Sequence, residues 1–366
     1  MTNMFADVYK GKKVFVTGNT GFKGSWLVLW LMKLGANVAG YSLNIPTDPS
    51  HHKILNLDYK TNYHDIRDIE SLRKVIESFK PDIVFHMAAQ SLVRESYQSP
   101  VKTFETNVMG TVNLFEACRE TDSLKAIVNI TSDKCYENRE WVWGYRESDP
   151  LGGHDPYSAS KGCAELVTAS YRKSFFPIDE YQKVHQILVA SSRAGNVVAG
   201  GDWGEDRLVP DIMRAASQNE RVQIRNPHAT RPWQHVLGPL SGYLFLGQQL
   251  LEGRKEYSGA WNFGPADEDH RNVIDIVKEL QKHWSNIDFQ IKTDKKNPHE
   301  ANLLKLDCSK AYTILKWKLV WGGSTTFEKT AQWYKSYYES GHVYSEEQLN
   351  EYLLDARQKQ VSWAIQ

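Results

Sequence analysis

A phenol, an amine and a hydroxyl occur at spacings that suit redox chemistry on an alcohol. Tyr157 and Lys161 are four residues apart, so on a helix they share one face, one turn apart. The Lys161 ammonium can then favour the ionised form of the phenol. A free Tyr has a pKa of about 10, so a base poised near neutrality needs a shift of roughly 3 units, or about 4 kcal/mol. Ser132 follows a predicted buried strand over residues 126–130, where its hydroxyl can hydrogen-bond the alcohol that Tyr157 deprotonates.

A glycine-rich turn near the N-terminus gives this spacing its context. The sequence GNTGFKG, residues 18–24, lies between an apolar strand pattern at 14–17 and an apolar helix pattern at 25–34. Glycines at such a turn let the backbone approach a pyrophosphate and let the helix pack on the strand. We expect this loop to bind a dinucleotide through Gly18, Thr20, Gly21, Phe22, Lys23 and Gly24. A structural turn without a ligand is the alternative.

The end of the second predicted strand leaves the type of dinucleotide open. NAD enzymes usually carry an acid there to bind the ribose hydroxyls, and NADP enzymes an Arg. Here the residues are Tyr41, Ser42, Leu43 and Asn44. Lys23 or Lys53 could serve a ribose phosphate, so the residues alone favour neither cofactor.

Together these motifs resemble the extended short-chain dehydrogenase/reductases, and the residues after Ser132 narrow the resemblance. Sugar-nucleotide 4,6-dehydratases carry Thr or Ser, an acid, a base and, two residues on, a Tyr; here the segment is SDKCY, residues 132–136. Most members have Glu where this chain has Lys134. Lys followed by YEN at 136–138 resembles the members that act on CDP-glucose. The resemblance covers nearly the whole chain and implies NAD as cofactor, CDP-glucose as partner, and a homodimer or homotetramer.

The same resemblance implies roles for residues outside these motifs. Cofactor contacts are implied for Asp65, Ile66, Ala88, Ala89, Tyr157 and Lys161, with Lys161 on the ribose. They are also implied for Asn107, which is expected to orient the active-site end of the next strand. Substrate contacts are implied for Asn196, Leu208, Arg231 and His299. Structural alternatives stay open: an Asp that caps the helix predicted over 69–79, a surface Asn, a surface Arg and a structural His.

Asp133 and Lys134 are implied to carry an elimination. Oxidation of the C4 hydroxyl makes the C5 proton of a hexose acidic; a base then removes it, an acid protonates the departing C6 hydroxyl, and the hydride returns to C6. Asp133 is the expected acid, which requires a pKa raised by burial. Lys134 is the expected C5 base, which requires a lowered pKa, whereas an ionised Asp133 would raise it. A solvated pair at a strand end is the alternative.

Alternating strand and helix patterns predict an α/β fold, a Rossmann-type doubly wound parallel sheet with a smaller α/β substrate-binding lobe. We assign residues 1–195 to the NAD-binding domain, with segments near 232–265 returning to it. Residues 196–231 and 266–366 are assigned to the nucleotide-sugar-binding lobe. Further predicted elements are helices over 103–119, 155–172 and 327–338 and a strand over 186–191. The resemblance implies that the first two of these helices form a dimer interface.

Composition excludes several other classes of protein. The 366 residues include 44 basic and 44 acidic side chains, which argues against nucleic acid or an anionic membrane as partner. Residues 1–13 contain no signal-type apolar run, and the longest apolar stretch, 26–34, is too short to span a bilayer. The cysteines show no metal-binding spacing, which predicts reduced thiols and no metal site: Cys118, Cys135, Cys163 and Cys308. We therefore expect a cytoplasmic protein.

Three other functions stay open at this level. A sugar-nucleotide 4-epimerase uses the same cofactor, Tyr and Lys, but needs no acid and base beside Ser132. A dehydratase of another nucleotide sugar is equally compatible with the residues, because none of them selects cytosine over another base. A non-catalytic NAD-binding scaffold commonly lacks the Tyr or the Lys, and both are present. The expected place in the synthesis of dideoxy sugars for lipopolysaccharide O-antigen likewise rests on the resemblance alone.

Overall fold

Short apolar runs alternate with amphipathic and apolar helical patterns along the first half of the chain, and each becomes a strand or a helix. The computed structural model describes residues 4–224, 226–227, 229–265, 270–292 and 303–365. The strands are β1 (Lys13–Thr17), β2 (Asn37–Ser42), β3 (Lys60–Tyr63), β4 (Ile83–His86), β5 (Ala126–Ile130), β6 (Leu188–Ala194), β7 (Val197–Val198), β8 (Arg221–Ile224), β9 (Thr230–Pro232), β10 (Gln234–His235), β11 (Ala260–Phe263), β12 (His270–Asn272) and β13 (Asp288–Ile291). The helices are α1 (Phe22–Lys33), α2 (His51–Leu55), α3 (Ile69–Phe79), α4 (Val93–Gln98), α5 (Pro100–Phe104), α6 (Gly110–Arg119), α7 (Pro156–Ser174), α8 (Leu208–Ser217), α9 (Leu237–Leu251), α10 (Val273–His283), α11 (Gly323–Ser340) and α12 (Ser345–Gln358).

Seven parallel strands form the central sheet, in the order β11-β6-β5-β4-β1-β2-β3. Every residue of β5 is buried, as expected for a strand of a parallel sheet that is covered by helices on both faces. The strand order reverses between β1 and β4, and the carboxyl ends of the strands at such a reversal are the usual ligand position in these sheets. The predicted doubly wound α/β fold is confirmed.

The smaller part of the molecule is built from short two-stranded pairs. Strand β8 pairs with β13, β9 pairs with β12, and β7 pairs with β10. Between these pieces the chain returns to the large sheet, because β11 lies next to β6 and α9 packs against β5 and β6. This return was predicted for residues near 232–265, while the division of the chain into two domains stays a prediction.

The C-terminal segment packs against the N-terminal residues and α1 rather than against the short strand pairs. We call residues 345–364, which include α12, the C-terminal cap. Trp363 is fully buried and stacks on Phe5 with ring centroids 5.0 Å apart, and its ring also contacts Trp30. Before the cap, α11 contains the helix predicted over 327–338 and buries Phe327 and Trp333. Among the described residues, no helix has the length and apolar character needed to cross a membrane.

Candidate active site

The glycine loop between β1 and α1 is shaped by close backbone contacts. Gly18 has φ of +72°, and a Cβ there would lie 2.8 Å from the Ala88 amide nitrogen. A Cβ on Gly24 would lie 2.1 Å from the Gly18 carbonyl oxygen. A Cβ on Gly21 would meet only that same carbonyl, at 3.4 Å, so the loop is open on this side. The result is a backbone cradle at the N-terminus of α1, where amide groups attract a phosphate.

The loop is also tied to the neighbouring strands by hydrogen bonds. Asn19 Nδ2 donates to Tyr59 Oη at 2.8 Å and to Thr61 Oγ1 at 2.9 Å, and its Oδ1 accepts from the Ser42 hydroxyl at 2.8 Å. The Thr20 hydroxyl donates to the Asn44 carbonyl at 2.7 Å. A cradle held on several sides is preorganised for a dinucleotide, and its residues fit the predicted cofactor.

At the carboxyl end of β4, the chain is held by hydrogen bonds to a single hydroxyl, that of Thr17. Thr17 Oγ1 accepts from the amides of Met87 and Ala88, both at 3.1 Å, and lies 2.7 Å from His86 Nδ1. Ala88 and Ala89 are half-buried at this strand end. Their side chains are small, and their contact with the cofactor stays a prediction.

Asp65 and Ile66 differ in their surroundings. The Asp65 carboxylate forms an ion pair with Arg67 at 2.7 Å, whereas Ile66 is buried. The helix that follows is capped by another residue, because Asp68 accepts from the Ser71 amide at 3.1 Å. Contact of Asp65 and Ile66 with adenine stays a prediction.

Asn107 joins the end of β4 to the helix that carries the Tyr and Lys. Its Oδ1 accepts from the Gln90 amide at 2.8 Å, and its Nδ2 donates to the Gln90 carbonyl at 2.9 Å and to Ser160 Oγ at 2.8 Å. It lies in one wide helical turn, residues 105–109, between α5 and α6. Such turns are frequent at functional sites. The predicted orienting role fits these contacts.

The catalytic candidates after β5 form a tight turn beside α7. Ser132 caps a short 3₁₀ turn over Asp133–Cys135; its hydroxyl donates to Asp133 Oδ1 at 3.0 Å and accepts from the Lys134 amide at 3.2 Å. Ser132 also hydrogen-bonds the Tyr157 phenol. Asp133, Tyr157 and Lys161 are buried, while Lys134 is half-buried. The structure therefore brings the five predicted catalytic residues onto one turn and the adjacent helix face.

The electrostatics of this site differ from the expectation for Tyr157. Burial raises the pKa of Tyr157 to about 12, and the Asp133 carboxylate adds to the rise, while hydrogen bonding by Ser132 and the charge of Arg207 only partly offset it. The expectation of a phenol pKa lowered by Lys161 is wrong for this structure, because burial of the phenolate outweighs the nearby cations.

Two lysines of the site show the opposite shift. Burial lowers the pKa of Lys161 to about 8, against the raising effects of Cys135 and Glu165. Burial, together with the charge of Lys161, lowers the pKa of Lys23 to about 8, and Asp133 raises it. The charges of Lys161 and Asp133 therefore act on Lys23 of the glycine loop.

Of the four predicted substrate contacts, the structure describes two in full. Asn196 lies between β6 and β7, where its carbonyl accepts from the Gln234 amide at 3.2 Å, and Leu208 is the half-buried first residue of α8. The backbone of Arg231 is in β9, but its side chain and all of His299 lie outside the described residues.

Sequence reasoning missed a cation beside Leu208. The Arg207 guanidinium pairs with Asp202 at 2.9 Å, and its charge acts on both Tyr157 and Lys23. The available signal was an Asp and an Arg five residues apart in the loop before α8, but nothing in that loop indicates which way the Arg points.

Comparison with known proteins places this geometry in a family. Residues 15–331 match the family model described as GDP-mannose 4,6 dehydratase. A CDP-glucose 4,6-dehydratase of Salmonella typhimurium is 52% identical over 349 residues, which cover 94% of this chain and 97% of that protein. The fold is similar to that of an epimerase from Methanothermobacter thermautotrophicus, with a TM-score of 0.77 and 23% identity over 91% of this chain and 95% of that one.

A second solved structure is similar over a comparable length. It is a dTDP-glucose 4,6-dehydratase from Bacillus anthracis in complex with NAD, with a TM-score of 0.73 and 20% identity over 89% of this chain and 97% of that one. At these identities the two structures inform on fold alone. The family model and the Salmonella relative go further, because each covers most of the chain, and on that ground the chain belongs to the GDP-mannose 4,6 dehydratase family of the extended short-chain dehydrogenase/reductases.

Proposed function

We propose that this chain converts CDP-glucose to CDP-4-keto-6-deoxyglucose and water, with NAD as cofactor. The observation that carries this proposal is the 52% identity, over 94% of the chain, to a CDP-glucose 4,6-dehydratase. The geometry supports it, because an acid and an amine, Asp133 and Lys134, lie on the same turn as Ser132, and this turn packs against α7, the helix of Tyr157 and Lys161.

The first step is oxidation at C4 of the glucose ring. When bound, NAD⁺ accepts the C4 hydride and returns it to C6 at the end of the reaction, and its positive charge favours the ionised phenol. The glycine loop and Lys161 hold this cofactor. Tyr157 takes the proton of the C4 hydroxyl, and Ser132 hydrogen-bonds the same oxygen. The resulting ketone acidifies the C5 proton.

The second step is loss of water across C5 and C6. Lys134 removes the C5 proton, and Asp133 donates a proton to the C6 oxygen, which leaves as water. For Asp133 the acid role needs a protonated carboxyl, and the side chain is buried.

An epimerase is the rival function, since the fold is shared with one. Its chemistry needs the Tyr, the Lys and the cofactor, but no acid and base beside Ser132. Incubation with CDP-glucose and NAD⁺ distinguishes the two, because a dehydratase forms a 4-keto-6-deoxy sugar and an epimerase forms the 4-epimer. Formation of the 4-epimer as sole product would overturn the proposal.

The nucleotide and the cofactor are tested in the same assay. We expect CDP-glucose to be turned over with a kcat/KM at least about 10-fold above those of the dTDP, GDP and UDP sugars, since hydrogen bonds to a base discriminate strongly. We also expect added NAD⁺ to raise activity and to bind more tightly than NADP⁺, because Arg67, the Arg that follows β3, is already paired with Asp65 and Glu105. A preference for another base or for NADP⁺ would correct that part of the assignment alone.

We further propose a homodimer that uses the helices α5, α6 and α7. Apolar side chains on these helices and in the turn between α5 and α6 are exposed: Val101 (70%), Met109 (50%) and Leu166 (59%). Where exposed apolar side chains join into one patch, that patch often marks an interaction surface. Leu166→Glu should convert the dimer to a monomer in analytical ultracentrifugation. A wild-type monomer would overturn the proposal, and an unchanged mutant dimer would mean that the interface lies elsewhere.

The resemblance assigns the reaction to cytoplasmic synthesis of deoxy sugars for O-antigen.

A further inference from the structure

The catalytic turn at residues 132–135 is anchored on both of its sides. On one side the Thr131 hydroxyl donates to Glu165 Oε1 at 2.5 Å. On the other side Tyr136 Oη accepts from Arg193 Nη1 at 2.7 Å. Glu165 and Arg193 form an ion pair, with Nη2 and Oε2 2.7 Å apart. Both anchors therefore end on a single pair of charges.

This ion pair connects the elements that carry the site. Glu165 lies on α7, one turn after Lys161 and two turns after Tyr157, so it faces the same side of the helix. Its Oε2 also accepts from the Ser191 hydroxyl of β6 at 2.8 Å. Arg193 is on β6 as well. The ion pair thus fixes the position of α7 along its axis, and its rotation about that axis, relative to β5 and β6.

Stability of the fold is a weak explanation for such a pair. The side chains of Glu165 and Arg193 are 2% and 3% exposed. Removing two charges from water costs about as much as their attraction returns, and apolar replacements are often as stable. What the ion pair supplies beyond stability is a directional constraint: Arg193 reaches Tyr136, whose hydroxyl donates onward to Asn262 Oδ1 of β11 at 2.7 Å.

We propose that Glu165 and Arg193 are positioning residues that hold Ser132, Asp133 and Lys134 in register with Tyr157. The reaction needs proton transfers at C4, C5 and C6 of one ring from groups on two elements. A misplacement of about 1 Å can cost roughly 10²-fold in rate. The kinetic consequences of this inference rest on the proposed dehydratase function.

The anchors can be removed one at a time without touching the ion pair. Thr131→Val and Tyr136→Phe each delete one hydroxyl. We expect each to lower kcat by roughly 10-fold with KM for CDP-glucose nearly unchanged, because the turn shifts by a fraction of an ångström. Thr168→Val is the matched control. It deletes a buried hydrogen bond from Asn129 Nδ2 to Thr168 Oγ1 (2.7 Å), which also joins β5 to α7, but farther from the turn.

The ion pair itself has a readout in the pH profile. Glu165 and Cys135 raise the pKa of Lys161, and the charge of Lys161 in turn lowers the pKa of Lys23 and of His86. Glu165→Gln removes a negative charge, so the pKa of Lys161 should fall below about 8. The alkaline limb of kcat should then move to lower pH, which loss of packing alone would not cause. Thr168→Val should leave the limb in place.

Amide hydrogen exchange tests the inference without any substrate. Exchange at residues 132–135 should be faster in Thr131→Val and Tyr136→Phe than in the wild type and Thr168→Val. Wild-type exchange and wild-type kcat in both anchor variants would overturn the inference. If the wild-type protein forms no product from CDP-glucose, the proposed function fails, and the exchange rates still decide whether the ion pair positions the turn.

Discussion

Two clusters of buried polar groups join distant parts of this chain, and they differ in charge. Next to the catalytic turn, Glu165 and Arg193 are ionised and almost inaccessible. At the C-terminal cap the groups are neutral: His51 Nδ1 and Nε2 each lie 2.8 Å from a hydroxyl oxygen, of Ser25 and Ser345. Burial lowers the pKa of His51 to about 3. Neutral hydrogen bonds are enough to dock an element, so the more costly charges near the active site point to a demand for precise geometry and field.

Loss of the Tyr157 hydroxyl should have the largest effect and should fall on chemistry alone. Tyr157→Phe removes the group that takes the C4 proton, so oxidation and the elimination that depends on it should both slow by roughly 10³-fold or more. Stopped-flow absorbance of the reduced nicotinamide and product analysis measure the two steps. Formation of bound NADH at the wild-type rate would exclude Tyr157 as the base.

Tyr171→Phe is the matched control for that experiment. Tyr171 is on the same helix and also has a pKa raised by burial to about 12, but its hydroxyl donates to Glu116 Oε1 at 2.8 Å, away from the catalytic turn. We expect near wild-type turnover. The pair of variants therefore separates the catalytic phenol from phenols that are merely buried on α7.

Loss of a large ring from the C-terminal cap should lower stability and leave catalysis nearly unchanged. Trp363→Ala removes a fully buried side chain that stacks on Phe5 and should lower the free energy of unfolding by about 4 kcal/mol. Its kcat at a temperature where the fold is intact should stay close to wild type. Ile365→Ala, which truncates a side chain that is 58% exposed, should change stability by less than about 0.5 kcal/mol. A large loss of kcat in folded Trp363→Ala would mean that the cap also shapes the site.

The same two regions show what the sequence can predict. Local signals were sufficient for α3 and β5, whose predicted bounds of 69–79 and 126–130 are confirmed. The catalytic turn was predictable as a motif because its residues are consecutive. Its electrostatics were not, because the pKa of Tyr157 depends on burial that only the packed fold defines.

Contacts between distant segments account for the remaining differences. Strand β6 was predicted to span 186–191 but runs over Leu188–Ala194, and its end includes the buried Arg193. An Arg is normally read as a surface residue unless its partner is known, and Glu165 lies 28 residues earlier on another element. The contact of Trp363 with Phe5 joins the two ends of the chain, so no local pattern could indicate it.

Changes to Asp133 and Lys134 should divide the reaction into its two steps. Asp133→Asn and Lys134→Ala keep Ser132, Tyr157 and Lys161, so bound NAD⁺ should still be reduced by substrate. Formation of the 4-keto-6-deoxy product should fall by about 10²-fold, the usual scale for loss of a general acid or base.

Solvent deuterium tests the base directly. It should enter C5 much more slowly in Lys134→Ala, while Lys134→Glu should recover part of the activity because most family members carry Glu there. Wild-type C5 exchange in Lys134→Ala would assign the base to another residue. Wild-type turnover in both variants would reduce the pair to a structural feature and favour the epimerase function.

The neutral cluster at the C-terminal cap should make the stability of the fold depend on pH. The unfolded chain binds a proton at His51 near the usual pKa of about 6.5, whereas the folded chain does so only near 3. Stability is therefore complete above about pH 6.5 and falls as the pH drops from there toward 3, by about 1.4 kcal/mol per pH unit for this residue. Urea unfolding of His51→Gln should give a slope against pH that is shallower by this amount below pH 6.5 and unchanged above about pH 7. An unchanged slope below pH 6.5 would mean that His51 is protonated in the folded state and that the cap, like the catalytic turn, is held by charge.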